Sequence, residues 1–150
     1  MAFQFRLSKV LEWYDRQYQA EAIRLRQSAD RAATAHLELA RHRERQLASE
    51  TQILQLESLN GSDLRARELN RKQAKLQESR LLQNCVRAEE NLVAQRAATQ
   101  TAQRRVRLVE KLRDRKRDEF HSQVERRLEE EAAESYLAGF ARNLSEKASI

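Results

Sequence analysis

Proline is absent from this 150-residue chain, and glycine occurs twice, at Gly61 and Gly139. Without those breakers little interrupts a helix. The one cysteine, Cys85, rules out an internal disulfide and agrees with a reducing compartment. It reads as a small apolar residue beside a helical seam rather than as a reactive thiol. No window approaches the roughly 20 apolar residues that cross a bilayer. The opening Phe3 to Leu11 is broken by Gln4, Arg6, Ser8 and Lys9, so it lacks the apolar stretch of a secretory leader. A soluble, cytoplasmic protein is expected.

Catalytic patterns are equally sparse. There is no phosphate-binding glycine loop, His36 and His42 stand six residues apart on different helix faces, and His121 is remote from both. Glu129, Glu130 and Glu131 read as a solvated acidic turn. No enzyme activity, metal, cofactor or small-molecule substrate is expected.

Charged residues make up 35% of the chain, and the mean hydropathy is −0.88. Ala, Glu, Arg, Gln and Leu dominate, the composition of long helices and coiled coils. Disorder is the competing reading for so polar a chain, but recurring leucine and valine with almost no breakers oppose it. In the first half, Leu7, Leu11, Tyr14, Tyr18, Ala22, Leu25, Ala29, Ala32, Leu39, Ile53 and Leu56 fall on helical steps of three and four or their sums. Gln46 and Ser49 interrupt this stripe, and Ala29 and Ala32 permit close backbone approach, predicting an irregular middle. The second half continues through Leu69, Leu76, Val86, Val93, Val106, Val109, Phe120, Val124 and Leu128, interrupted at Ser79 and Gln100.

Between the halves, Asn60-Gly61-Ser62-Asp63 is the one plausible turn. Asn60 and Gly61 suit a left-handed helix end, and Ser62 or Asp63 suits the start of the next helix. The predicted fold is all-α, a single long antiparallel two-helix coiled-coil hairpin over 1–150. Its first helix covers about 3–59, its turn 60–63 and its second helix about 64–145. At about 1.5 Å per residue the arms span roughly 85 and 125 Å. Phe3 should therefore meet residues 119 and 120. The tail beyond about 120 should overhang unpaired and fray when free, carrying Leu128, Tyr136, Leu137 and Phe140.

Two features are concentrated at the open end of that hairpin. All eight aromatics lie within residues 3–18 or 120–140. The run from 104 to 117 holds Arg104, Arg105, Arg107, Lys111, Arg113, Arg115, Lys116 and Arg117 against Glu110 and Asp114, a surplus of six that equals the net charge of the whole chain. Asp118 and Glu119 follow and reduce it to four. Lys111 with Arg115 and Arg113 with Arg117 are repulsive i,i+4 pairs, which points to an acidic partner. A solvated face of a charged helix is the plainer alternative.

The opening Phe3-Gln4-Phe5-Arg6-Leu7-Ser8-Lys9-Val10-Leu11, the Asn-Gly turn near residue 60, and the late run Leu108 to Phe120 before a Glu-rich helix resemble the flagellar export protein FliJ family. The resemblance covers essentially the whole length. It implies a non-enzymatic central stalk of the flagellar type III export apparatus, similar in shape to the two-helix rotor stalk of rotary ATPases. Such a stalk activates the hexameric FliI-like export ATPase, contacts the FlhA-like export gate and serves export chaperones. It would work at the cytoplasmic face of the membrane, in flagellum biogenesis and so in chemotaxis. The resemblance further implies that the open end enters the ATPase ring, with Arg113, Arg115 and Arg117 meeting its acidic loops. Tyr136, Leu137 and Phe140 form a second expected docking patch.

The chain departs from the family pattern in having no aromatic between Tyr18 and Phe120, where the family carries those associated with gate contact. No gate residues are carried over, and Ile53, Leu56, Leu69 and Leu76 read as seam. The equivalent stalk of a virulence type III secretion system fits equally well. A basic coiled-coil nucleic-acid binder is the rival from another class. Against it, the cations look scattered around the helix and no aromatics are interleaved with them, so no nucleic acid is expected. A structural coiled coil that self-associates through the overhang is a third reading.

Overall fold

The computed structural model describes residues 2–56 and 58–148. Those residues form two long helices packed together, α1 (Ser8–Leu54) and α2 (Gly61–Ala148), with no strand among them. The chain divides into two compact units, residues 16–103 and residues 1–15 with 104–150.

In the first unit, the partners between helices run in opposite order. Glu21 meets Gln95 and Thr99, His36 meets Glu89, Arg43 meets Glu78, and Glu50 meets Arg71. On α1 the residues at least half-buried are Tyr18, Glu21, Leu25, Ser28, Ala32, Ala35, Leu39, His42, Gln46 and Ile53, with Gln17 and Ala22 beside them. On α2 they are Arg67, Ala74, Glu78, Leu81, Cys85, Ala88, Leu92, Gln95, Thr99 and Ala102, with Gln103 beside them. Both main series advance by alternating threes and fours or by sevens, so one stripe of each helix keeps facing the other.

The core of this unit is thin. Leu39, Leu81 and Cys85 cluster with Ala35, and Ala32 is buried on the same stripe. Two polar side chains are also buried. The His42 ring donates from Nε2 to the Ala74 carbonyl at 3.1 Å, and the Thr99 hydroxyl lies 2.8 Å from the Gln95 carbonyl and 3.2 Å from that of Glu21.

The predicted α1 stripe largely matches this seam, although Leu7, Ala29, Ser49 and Leu56 are exposed. The predicted α2 stripe requires correction. Leu69, Leu76, Val86 and Val93 are 53–64% exposed, on the face away from α1, and the interruptions Ser79 and Gln100 are exposed with them. Small and polar residues hold most of the α2 seam instead, with Leu81 and Leu92 among them. The thirteen residues from Val93 to Val106 turn a helix to about 140° out of register at about 100° per residue. The apolar series read from the sequence therefore joined two opposite faces.

The helix ends also differ from expectation. α1 stops at Leu54, closed by short-range bonds from the Gln55 amide to the Gln52 carbonyl and from Leu56 to Ile53. Gly61 is the first residue of α2, and no residue among those described has a left-handed backbone. Asn60 thus starts a helix rather than ending one. Its carbonyl accepts from the Leu64 amide at 3.1 Å, while its own amide donates to Asp63 Oδ2 at 3.0 Å, the backward half of a capping box. Ser62 and Asp63, expected to cap a helix beginning near residue 64, instead lie within the first turn of α2, and Asp63 accepts from the preceding Asn60 amide rather than from the amides that follow it.

In the second unit, residues 2–5 are not helical, and α1 begins at Ser8 rather than near Phe3. Phe3 and Phe5 are both half-buried against α2. Residues two apart on a helix point to nearly opposite sides, so non-helical backbone lets both rings face α2. Leu11 and Tyr14 of α1, and Val106, Val109, Phe120 and Val124 of α2, continue the packing. From residue 125 to 147 every residue is exposed, Leu128 included, yet α2 stays helical to Ala148. Among the described residues no helix is long and apolar enough to cross a membrane.

A basic and aromatic candidate interface

Seven of the eight aromatics and the whole basic run belong to the unit formed by residues 1–15 and 104–150; Tyr18 alone lies in the other. Phe3 reaches Phe120 with ring centroids 5.8 Å apart, the meeting the turn position predicts. Phe120 in turn meets the His121 ring edge-on at 5.9 Å, and Trp13 packs on Tyr14 at 5.1 Å. Residues 3–7 and α2 enclose an apolar cleft of about 540 Å³, lined by Phe3, Phe5, Leu7, Leu112 and Phe120 with Lys116 at its edge.

The eight cations divide into two groups. Arg113 donates from Nε and Nη2 to Asp114 Oδ1, both at 3.2 Å, Lys116 reaches Glu119 at 2.8 Å, and Arg117 lies 3.9 Å from Asp114. These pairs are solvated and worth little to stability, but they neutralise the cations they involve. Arg104, Arg105, Arg107, Lys111 and Arg115 have no ion-pair partner among the described residues.

Four of those five, Arg104, Arg107, Lys111 and Arg115, are spaced by three, four and four residues. They form one exposed row on the side of α2 away from Val106, Val109 and Arg113. The run that looks scattered in sequence is sorted by local pairing into a single positive row. Of the three arginines expected to meet acidic loops, only Arg115 belongs to it; Arg113 is half-buried and paired, and Arg117 is paired.

Tyr136, Leu137 and Phe140 are 74%, 64% and 55% exposed. Their spacing, extended by the exposed Leu144, keeps them on one side of the helix. Among the described residues no group of three or more His, Cys, Asp or Glu is placed to hold a metal ion. His36 bonds Glu89 at 2.7 Å, and His42 is occupied by the Ala74 carbonyl.

The chain matches no protein-family model, no curated protein and no solved structure.

Proposed function

We propose that this protein is a non-enzymatic stalk of a type III protein export apparatus, similar to the FliJ family. On this reading the chain is a long antiparallel coiled-coil hairpin with a C-terminal overhang, and it activates a hexameric export ATPase by inserting its open end. The observation that carries the reading is the concentration of the unpaired cations Arg104, Arg107, Lys111 and Arg115 in the unit that also holds seven of the eight aromatics. A helix that repeats like charges along one face gains nothing internally from doing so, and an acidic surface would offset the repulsion. The exposed Tyr136, Leu137 and Phe140 supply an apolar surface for a second contact, with the export gate or a chaperone. The flagellar and virulence-associated versions share this physics.

The test is ATP hydrolysis by the export ATPase of the same organism, with and without the purified protein. A second arm uses a variant carrying Arg104→Glu, Arg107→Glu, Lys111→Glu and Arg115→Glu. Stimulation that the variant loses while remaining helical supports the stalk. Absence of binding and stimulation by the helical wild-type chain overturns it.

The same row favours one other reading, contact with a nucleic-acid backbone, since phosphates need only cations at helical spacing. Binding to duplex DNA or to RNA that weakens steeply with salt, with no effect on the ATPase, selects that reading.

A further inference from the structure

The outer face of α2 between residues 69 and 93 is uncovered and carries four exposed apolar side chains among polar ones, and its sequence reads as a mirror about residue 81. Leu76 and Val86 lie five residues to either side of that centre, and Leu69 and Val93 lie twelve. Lys72 and Glu90, of opposite charge, lie nine to either side, and Ser79 and Gln83 lie two. All eight advance by alternating threes and fours, so they share one face. That face is opposite the one buried on α1, and Leu69, Leu76, Val86 and Val93 are 58%, 63%, 53% and 64% exposed.

We infer that this face is a two-fold contact with a second copy of this chain, the two α2 helices lying antiparallel back to back with residue 81 at the axis. A two-fold interface must be complementary to itself, residue i meeting j while j meets i. Antiparallel pairing about residue 81 sets Leu69 against Val93 and Leu76 against Val86 twice each. It also sets Lys72 against Glu90 twice, an attractive pair at each end. Lys72 is only loosely engaged at home, 3.9 Å from Glu68. Parallel pairing would instead oppose Lys72 to Lys72 and Glu90 to Glu90, so the charges select the antiparallel register.

The contact is small. A stretch of 24 residue steps is about 36 Å long, and a helix face about 10 Å wide gives roughly 360 Å² per copy. That is under half of the ~800 Å² per partner of a standard stable interface. Arg80, beside the axis, also approaches its own copy and has to turn outward. The dimer is therefore a weak, reversible one that forms at high local concentration.

Sedimentation equilibrium of the full chain from about 1 μM to about 1 mM, the range in which weak contacts populate, tests this. A monomer–dimer equilibrium is expected. Leu76→Glu with Val86→Glu should leave a monomer of unchanged helicity by circular dichroism. Lys72→Glu alone should raise the dissociation constant about tenfold by replacing two attractive pairs with two repulsive ones. Lys72→Glu with Glu90→Lys should restore it, which separates loss of the contact from loss of the fold. Three results overturn the inference: a monomer at every concentration, association of Lys72→Glu as tight as that of the wild type, which parallel pairing gives because like charges still face each other, or a dimer that survives the Leu76 and Val86 changes but is lost with Tyr136→Ala and Phe140→Ala.

Discussion

Phe3 stacks at a tilt of 50° on Phe120, a residue 117 positions away, although Phe3 itself lies outside any helix. The contact ties the amino-terminal segment to α2 just after the basic run. The backbone bonds of residues 2–7 are local, from the Ser8 amide to the Phe5 carbonyl at 3.2 Å and from the Leu11 amide to the Leu7 carbonyl at 2.9 Å, which leaves Phe3 and the half-buried Phe5 as the holds on α2. Phe120→Ala removes one half of the ring pair and one wall of the cleft. We expect a cost of about 1–2 kcal/mol, below that of a fully buried ring because Phe120 is half-exposed. Hydrogen exchange should show faster amides at Ser8 and Leu11, with those around Leu81 and Cys85 unchanged.

The layer formed by Glu21, Gln95 and Thr99 is the most polar part of the seam in residues 16–103. The Gln95 side-chain amide bonds the Glu21 carboxylate and, at 3.3 Å, the Glu21 carbonyl, while Arg24 holds the same carboxylate at 2.8 Å. Glu21→Leu alone leaves the Gln95 amide with only the longer bond and should destabilise by about 1 kcal/mol. Gln95→Leu alone should cost a similar amount, softened because Arg24 still pairs Glu21. Glu21→Leu with Gln95→Leu turns the layer apolar and should recover or exceed wild-type stability. Urea unfolding of the four proteins closes the cycle. Additive losses in the double variant would show that the two side chains do not act together.

Helical character, a break near residue 60, the Phe3 to Phe120 meeting and most of the α1 stripe were legible in the sequence, because absent breakers and heptad spacing act locally, but the break falls between Leu54 and Gly61 and not at 60–63. The α2 seam was not. Ala74, Ala88, Gln95 and Thr99 sit on it while Leu69, Leu76, Val86 and Val93 face away. Hydrophobicity alone selects the leucine and valine face. Only the partner helix, with its own small and polar Ala32, Ala35, His42 and Gln46, decides which face is covered. The basic run was legible as a concentration of charge, but its reduction to one free row depends on which acids lie within reach of Arg113, Lys116 and Arg117.

Gly61 separates two accounts of the turn. A left-handed glycine closing α1 would make any side chain costly there. Gly61 instead opens α2 with ordinary helical backbone, and a Cβ built on it meets nothing within 4 Å. Gly61→Ala should therefore stabilise by about 0.5 kcal/mol through lower freedom of the unfolded chain. Asp63→Ala, which removes the bond back to the Asn60 amide, should destabilise by about 1 kcal/mol. Thermal unfolding of both variants is sufficient, since each kcal/mol moves the midpoint by about 2–4 °C in a chain of this size. A fall in the midpoint for Gly61→Ala would restore the left-handed ending.

Residues 125–147 are helical without a covered face. An uncovered helix of that length is marginal in water, so its helicity should respond to intrinsic propensity far more than a packed helix does. Gly139 is the one glycine within it, with no positive φ and open space where a Cβ would stand. Gly139→Ala should favour the local helix by about 1 kcal/mol, slowing exchange of nearby amides about fivefold. The urea midpoint should not move, because the covered residues that unfold there lie elsewhere. Phe140→Ala removes one member of the exposed apolar row while keeping propensity high, so it should raise helicity slightly and weaken only partner binding. If Phe140→Ala instead lowers the midpoint of global unfolding, Phe140 packs within its own chain, and the tail is not a free docking surface.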